Sequence, residues 1–281
     1  MIKDKEILRK MIREEILKSE METSLIEGID IDNDKKIISF NPNHEDNVDT
    51  SILLNPTYDV IDGINVISIF KRKDNLDKTD GNPLIYALKN KKGWKFKNQT
   101  EDIINLLKQF IRIAEKIKPE YATIITVPSS NPLNTYFLHR LNKIIQAKAK
   151  VTDYFYKLNA DDVWEDWIAW GEITKDFGEV NDKKVKVILL QYFKAMEQEN
   201  SNMFSFRFIK DTKLRKYIKK TMWSKDKDEK QIKYAPFIND KDILILDDTI
   251  SSGASISEAC KGILESFVPK TITVITLFSK I

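Results

Sequence analysis

Two adjacent carboxylates, Asp247 and Asp248, end the apolar run Ile243-Leu244-Ile245-Leu246, and Thr249, Ile250, Ser251, Ser252, Gly253, Ala254 and Ser255 follow at once. Hydroxyls at this spacing, a glycine that lets backbone amides approach a ligand, and a helix expected over 254–267 with its N-terminus at the same spot make a phosphate cradle. The carboxylates beside it suit a hard metal ion or a diol. The stretch reads as a site for a ligand with a phosphate and a metal-bound or diol-bearing part. The plainer reading makes the acids helix caps and the serines loop filler, but a cap asks for one polar residue and this turn supplies a series.

The run 243–246 is too short for a helix and rich in Ile, so it is expected as a strand buried on both faces. Residues 121–127 are expected as the first strand of the same parallel sheet, delivering the loop 128–134 and then a helix over 135–148. Ligands collect at the carboxyl ends of strands in such sheets, so Ser129, Ser130, Asn131 and Asn134 are expected to face the same crevice. A short helix is expected over 84–89, and a long one over 101–118 with Thr100 as its N-cap. Ahead of them lie an amphipathic helix over 3–20, read as packing on its own domain with homodimerisation as the second reading, and short β segments over 36–40, 51–54 and 65–70. Strands are expected over 185–190, 203–208 and 272–278. Trp164, Trp167 and Trp170 fall three apart, a spacing more often found in a core than in a stacking platform. Residues 210–233 are crowded with charge and are expected as a mobile, solvated segment.

The run from Ile243 to Ser255 resembles the signature of type I phosphoribosyltransferases, and every position of that pattern is filled. The resemblance implies an α/β fold with an open, mainly parallel central sheet flanked by helices. An N-terminal α+β hood over residues 1–80 would precede a core over 81–281, with an elaborated, partly mobile insertion around 151–235. It further implies that Asp247 and Asp248 contact the ribose hydroxyls of phosphoribosyl pyrophosphate, directly or through Mg²⁺, that Thr249 to Ser255 wrap the 5′-phosphate, and that Ser129, Ser130, Asn131 and Asn134 bind pyrophosphate. That last loop has no lysine or arginine, so Arg207, Lys213 and Arg215 are expected to supply the cations, with Lys89 as a second source. The order of elements is similar to that of the competence-protein-F type of amidophosphoribosyltransferase-like proteins, without their cysteine-rich zinc element.

The implied activity is a pentosyltransferase of phosphoribosyltransferase type, acting on an unidentified base or amine with release of pyrophosphate. A non-catalytic sensor of a phosphorylated ribose or nucleotide is the alternative on the same fold. The 281 residues carry 46 Lys+Arg against 43 Asp+Glu, a formal net charge of +3, which argues against nucleic acid as a partner. The single cysteine, Cys260, rules out a disulfide within the chain. A charged N-terminus without an apolar leader, and no long apolar run, lead to the expectation of a cytoplasmic protein away from membranes. The glycine turn lacks the lysine of a P-loop, and the acids are adjacent rather than in an Asp-x-Asp pair.

Overall fold

The computed structural model describes residues 27–41, 48–72, 83–90, 92–117, 121–128, 133–198, 204, 208–209, 211–224, 227–250 and 253–279. The chain is α/β. Its strands are β1 (Ile29–Asp32), β2 (Ile37–Phe40), β3 (Val48–Asp49), β4 (Thr57–Ile61), β5 (Ile64–Arg72), β6 (Lys95–Phe96), β7 (Thr123–Thr126), β8 (Ala149–Val151), β9 (Tyr156–Lys157), β10 (Met222–Trp223), β11 (Asp242–Thr249) and β12 (Thr271–Phe278). Its helices are α1 (Pro83–Leu88), α2 (Gln99–Ala114), α3 (Leu133–Ile145), α4 (Ala160–Asp166), α5 (Trp170–Phe177), α6 (Glu179–Gln198), α7 (Lys227–Ile238) and α8 (Ala254–Leu264).

The main sheet has 7 strands in the order β3-β5-β12-β11-β7-β8, with β4 also on β5. From β5 to β8 all neighbours are parallel, and β3 and β4 run antiparallel to β5. Alternate residues of each strand enter opposite cores, as a pleat requires. Ile67, Ile69, Ile124, Leu244, Leu246, Ile275 and Leu277 meet α1, α2 and α3 on one face. Val66, Ile125, Ile243, Ile245 and Val274 meet α7 and α8 on the other. The expectation of a strand buried on both faces therefore holds for β11, and the run of aliphatic residues without polar alternation is its cause.

The antiparallel unit expected ahead of the core is arranged otherwise. β1 and β2 pair antiparallel and join β6 in a small sheet, but β5 enters the main sheet as the parallel neighbour of β12. The Ser68 and Thr276 hydroxyls bond each other at 3.0 Å within that pairing, so two fully buried hydroxyls in the middle of these strands satisfy one another. Residues 52–54 form a turn rather than a strand. The expected helix over 3–20 lies outside the described residues.

The described residues between 158 and 221 form a helical insertion with its own core of Val163, Ile173, Leu189, Met196 and Tyr217, flanked by the two-stranded ribbon β9–β10. The strand expected over 185–190 is instead the middle of α6. Val185, Leu189, Phe193 and Met196 recur at helical spacing and are buried, while Val187, Ile188 and Leu190 face out. The tryptophan stripe is core, as its spacing suggests: Trp164, Trp167 and Trp170 pack against this cluster. Thr100 does not cap α2; Asn98 stands at the N-cap, and its amide donates to the Asp102 carboxylate at 2.9 Å.

Gly262 on α8 lies under Phe155, and a Cβ there would sit 2.8 Å from the ring. Gly262→Ala would gain about 1 kcal/mol of helix propensity and lose about 1–3 kcal/mol to overpacking. Urea denaturation should show a net loss on the order of 1 kcal/mol, recovered when Phe155→Leu is added. A more stable single variant would mean that the ring gives way freely.

Candidate functional site

The chain leaves β7 toward β8 on one side and leaves β11 toward β12 on the other, so the strand order reverses between β7 and β11. Outside the carboxyl ends of two such strands a crevice opens, the usual ligand position in open α/β sheets. The register Leu246↔Thr126 and the bond from the Val127 amide to the Leu246 carbonyl, 2.9 Å, bring residues 247–250 and 127–128 to this one edge. Ser129, Ser130 and Asn131 lie outside the described residues, as do Ser251, Ser252 and Arg207. Asn134 stands in the first turn of α3.

Asp247 and Asp248 end β11 on opposite faces of its pleat. On the α1 side, Lys89 Nζ donates to Asp248 Oδ2 at 2.7 Å; both side chains are largely buried, at 15% and 13% exposure. Lys89 follows directly after α1, so that short helix has the task of placing one ammonium at the acidic pair. Asp247 is buried and accepts the Asp248 amide at 2.7 Å through Oδ1. Burial pushes its carboxyl up to about 7, the neighbouring Asp248 charge pushes the same way, and the Asp248 amide, Lys89 and Lys157 pull it down. Two carboxylates side by side with one partnered lysine leave the pocket short of positive charge.

The hydroxyl turn is held at both ends. The Ile250 side chain is in the core and its amide donates to the Phe278 carbonyl at 3.2 Å, so that amide is committed to the sheet and not to a phosphate. Arg72 Nη1 donates to the Ile250 carbonyl at 3.3 Å, which puts a guanidinium beside the turn. Gly253 is left-handed, φ 79°, at the N-cap of α8, and a Cβ there would meet Ile61 at 3.1 Å. A side chain at this position is disfavoured twice, by backbone and by space. Ala254 and Ser255 follow in the first turn of α8, at the positive end of the helix dipole. The buried Thr249 hydroxyl has no hydrogen-bond partner among the described residues. A buried polar atom without a partner costs about 1–3 kcal/mol, which is recovered when a ligand or water bonds it.

The basic segment departs from expectation. Residues 211–224 are packed: a 3-10 turn, Thr212–Tyr217, is capped by Asp211, and Leu214, Tyr217, Ile218 and Met222 are buried. Apolar residues interleaved among the lysines tie the segment down, and residues 227–238 are α7 rather than a loop. Lys213 is exposed at the start of the 3-10 turn. Arg215 bonds the Ile209 carbonyl through Nε at 3.1 Å and lines a cleft beside α8, away from the acidic pair. The cations whose fields weigh most on Asp247 are Lys89 and Lys157 instead.

Arg72 and Lys157 are the site's neighbours that sequence reasoning passed over. Arg72 had a signal, the run Lys71-Arg72-Lys73 at the end of an apolar strand. Lys157 had none, because only the fold brings it close. Among the described residues no group of three or more His, Cys, Asp or Glu side chains is gathered around one point, so a cation here would rest on the acidic pair and its ligand's own oxygens. Cys260 is buried on α8 with its thiol pushed up to about 12 by burial, which removes it as a nucleophile. No family model and no curated protein matches this chain.

A carboxyl whose pKa is raised on folding contributes stability that is complete below the unfolded carboxylate value and is lost as pH rises through the folded one. In chelator, the protein should melt lower at pH 8 than at pH 6, and Asp247→Asn should flatten that slope and raise the melting temperature at pH 8. An unchanged slope in the variant would assign the pH dependence to other groups.

Proposed function

We propose that the chain is a Mg²⁺-dependent phosphoribosyltransferase of type I, taking phosphoribosyl pyrophosphate and passing its phosphoribosyl group to a base or amine. The observation that carries this reading is the constellation at the carboxyl end of β11. An acidic pair held against Lys89 is followed by an orphaned buried hydroxyl and a left-handed glycine opening a helix, all at the reversal point of the sheet.

Mg²⁺ fits the donors present. It keeps several waters and needs only one or two carboxylates plus phosphate oxygens, and Asp247 and Asp248 are two such carboxylates whose mutual repulsion a cation would relieve. Bound there, it would supply charge to the pyrophosphate and ribose oxygens. The chain's own residues do the rest. The amides opening α8, with the Thr249 hydroxyl, hold the 5′-phosphate, and this remote grip fixes C1 in place. As the C1–O bond breaks, its electron pair stays on the pyrophosphate and the acceptor's lone pair closes on C1. Lys89, the nearest partnered cation, passes from Asp248 to a phosphate oxygen of the leaving group, and Arg72 adds charge beside the turn.

The packed basic segment favours a second reading, in which the same site binds a phosphorylated ribose without turning it over, since Arg215 faces a different cleft. The two are separated by incubating the protein with labelled phosphoribosyl pyrophosphate, Mg²⁺ and a panel of bases and amines. Transfer predicts pyrophosphate release that disappears in Asp247→Asn with Asp248→Asn. Lys89→Met should lower release on the order of 100-fold with a smaller change in donor binding. Binding without release, in the presence of every acceptor, would leave the sensor reading standing, and release undiminished in the double variant would reject the assigned site.

A further inference from the structure

One edge of the main sheet carries apolar surface that nothing among the described residues covers. Among those residues β4 pairs only with β5, so its outer side is open. Leu53 and Leu54, in the turn ahead of it, are 86% and 61% exposed, and Tyr58 and Val60, which share one face of the strand, are 65% and 69% exposed. Tyr58, Val60, Ile67 and Tyr121 wall a cleft of about 360 Å³, whose lining also takes in Asn65 and Thr273 near the amino ends of β5 and β12. Lys116 donates to the Asn55 carbonyl at 3.0 Å and Tyr121 follows shortly after it in the chain, so turn and cleft adjoin along β4. Large apolar side chains this exposed, clustered on and before an open edge strand, are a liability that folded proteins cover.

The chain itself brings a cover to this place. Glu27, the first described residue, accepts the Ile52 amide at 3.1 Å through Oε1, and the Gly28 amide donates to the Thr50 hydroxyl at 3.0 Å. Residues 1–26 therefore join the fold beside the exposed leucines. In their sequence Ile7, Leu8, Met11, Ile12 and Ile16 recur at helical spacing, with Glu6, Lys10 and Arg13 on the other side. A helix over 3–20 is about 27 Å long, and β4, at 5 residues, is about 17 Å long, so one apolar stripe spans strand and turn together. The residues between, 21–26, extend at most about 22 Å, which tethers that stripe to this side of the molecule.

We propose that the apolar face of residues 3–20 docks on the β4 surface, covering Tyr58, Val60 and the cleft. Burying the two apolar faces against each other drives the docking. The cleft stands toward the amino ends of the parallel strands, whereas Asp247 and Asp248 lie at the carboxyl end of β11. On this placement residues 3–20 brace the edge of the sheet and do not roof the ligand edge, in contrast to the hood that the family resemblance implies for residues 1–80. The docking does not depend on the phosphoribosyl reading.

Labelling with N-ethylmaleimide of the full chain carrying Val60→Cys tests it. The native Cys260 is buried with its thiol pushed up to about 12, so the introduced thiol is read alone. That thiol should react about 10-fold or more slowly than the same thiol in a chain that also carries Leu8→Asp with Ile12→Asp. Glu6→Ala with Arg13→Ala, away from the stripe, should leave it slow, and the rate should not change on dilution. Leu53→Cys should repeat the pattern at a position in the turn. Equal rates with and without the aspartates would overturn the proposal. So would a rate that rises on dilution, which assigns the cover to a second copy of the chain. Labelling of Cys260 in the aspartate variant would overturn it too, by making residues 3–20 part of the core rather than a cover on this surface.

Discussion

Everything at the ligand edge depends on ending a fully buried strand with two carboxylates. A strand with helices on both faces has little water along its length, and charge placed at its buried end is expensive unless it is paired and hydrogen-bonded. The pleat sends Asp247 and Asp248 to opposite faces, so a single partner cannot serve both. On one face, Lys89 is delivered by α1 and meets Asp248. On the other, Asp247 accepts the Asp248 amide and feels the charges of Lys89 and Lys157 without an ion pair among the described residues, and its carboxyl is driven upward by burial. The chain thus satisfies one acid and leaves the other costly to ionise until a cation or donor arrives. Such retained cost is a common mark of a site kept for a ligand rather than for stability.

Glu258 shows how the same cost is met when a carboxylate is structural. It too is raised by burial, yet it accepts three bonds from Thr221 and Met222. Those bonds fasten β10 to α8, and β10 in turn holds β9, which carries Lys157. The helical insertion, whose core is otherwise its own, is coupled to the ligand edge through this short chain of contacts. The physical difference between the two buried acids is the number of donors offered to each.

Sequence patterns reached the site further than they reached the insertion. Four aliphatic residues followed by two acids, a hydroxyl series and a glycine gave β11, the turn and α8 together, because each local preference there agrees with the fold. The insertion defeated the same reasoning in two places. Val185-Lys186-Val187-Ile188-Leu189-Leu190 is as good a strand as a helix over six residues, and only the wider spacing through Phe193 and Met196 decides it. The lysine-rich segment hid its anchors: Leu214, Tyr217 and Ile218 are few among many charges, but each is buried, and burial fixes a backbone whatever the lysines do. Lys89 was legible as a cation near the right place, whereas its pairing with Asp248 spans 159 positions and belongs to topology alone.

The anchoring of the turn bears on how tightly a ligand can be held. Ile250 is tied through its amide to Phe278 and through its carbonyl to Arg72, and Gly253 is wedged under Ile61. The Thr249 hydroxyl precedes the first anchor and the amides of α8 follow the second. Their separation is therefore set by the sheet and by α8, both of them rigid, rather than by the turn itself. On the proposed phosphoribosyl reading, that fixed separation makes the site discriminate by the distance between phosphate and diol, before any side chain of an acceptor pocket is reached.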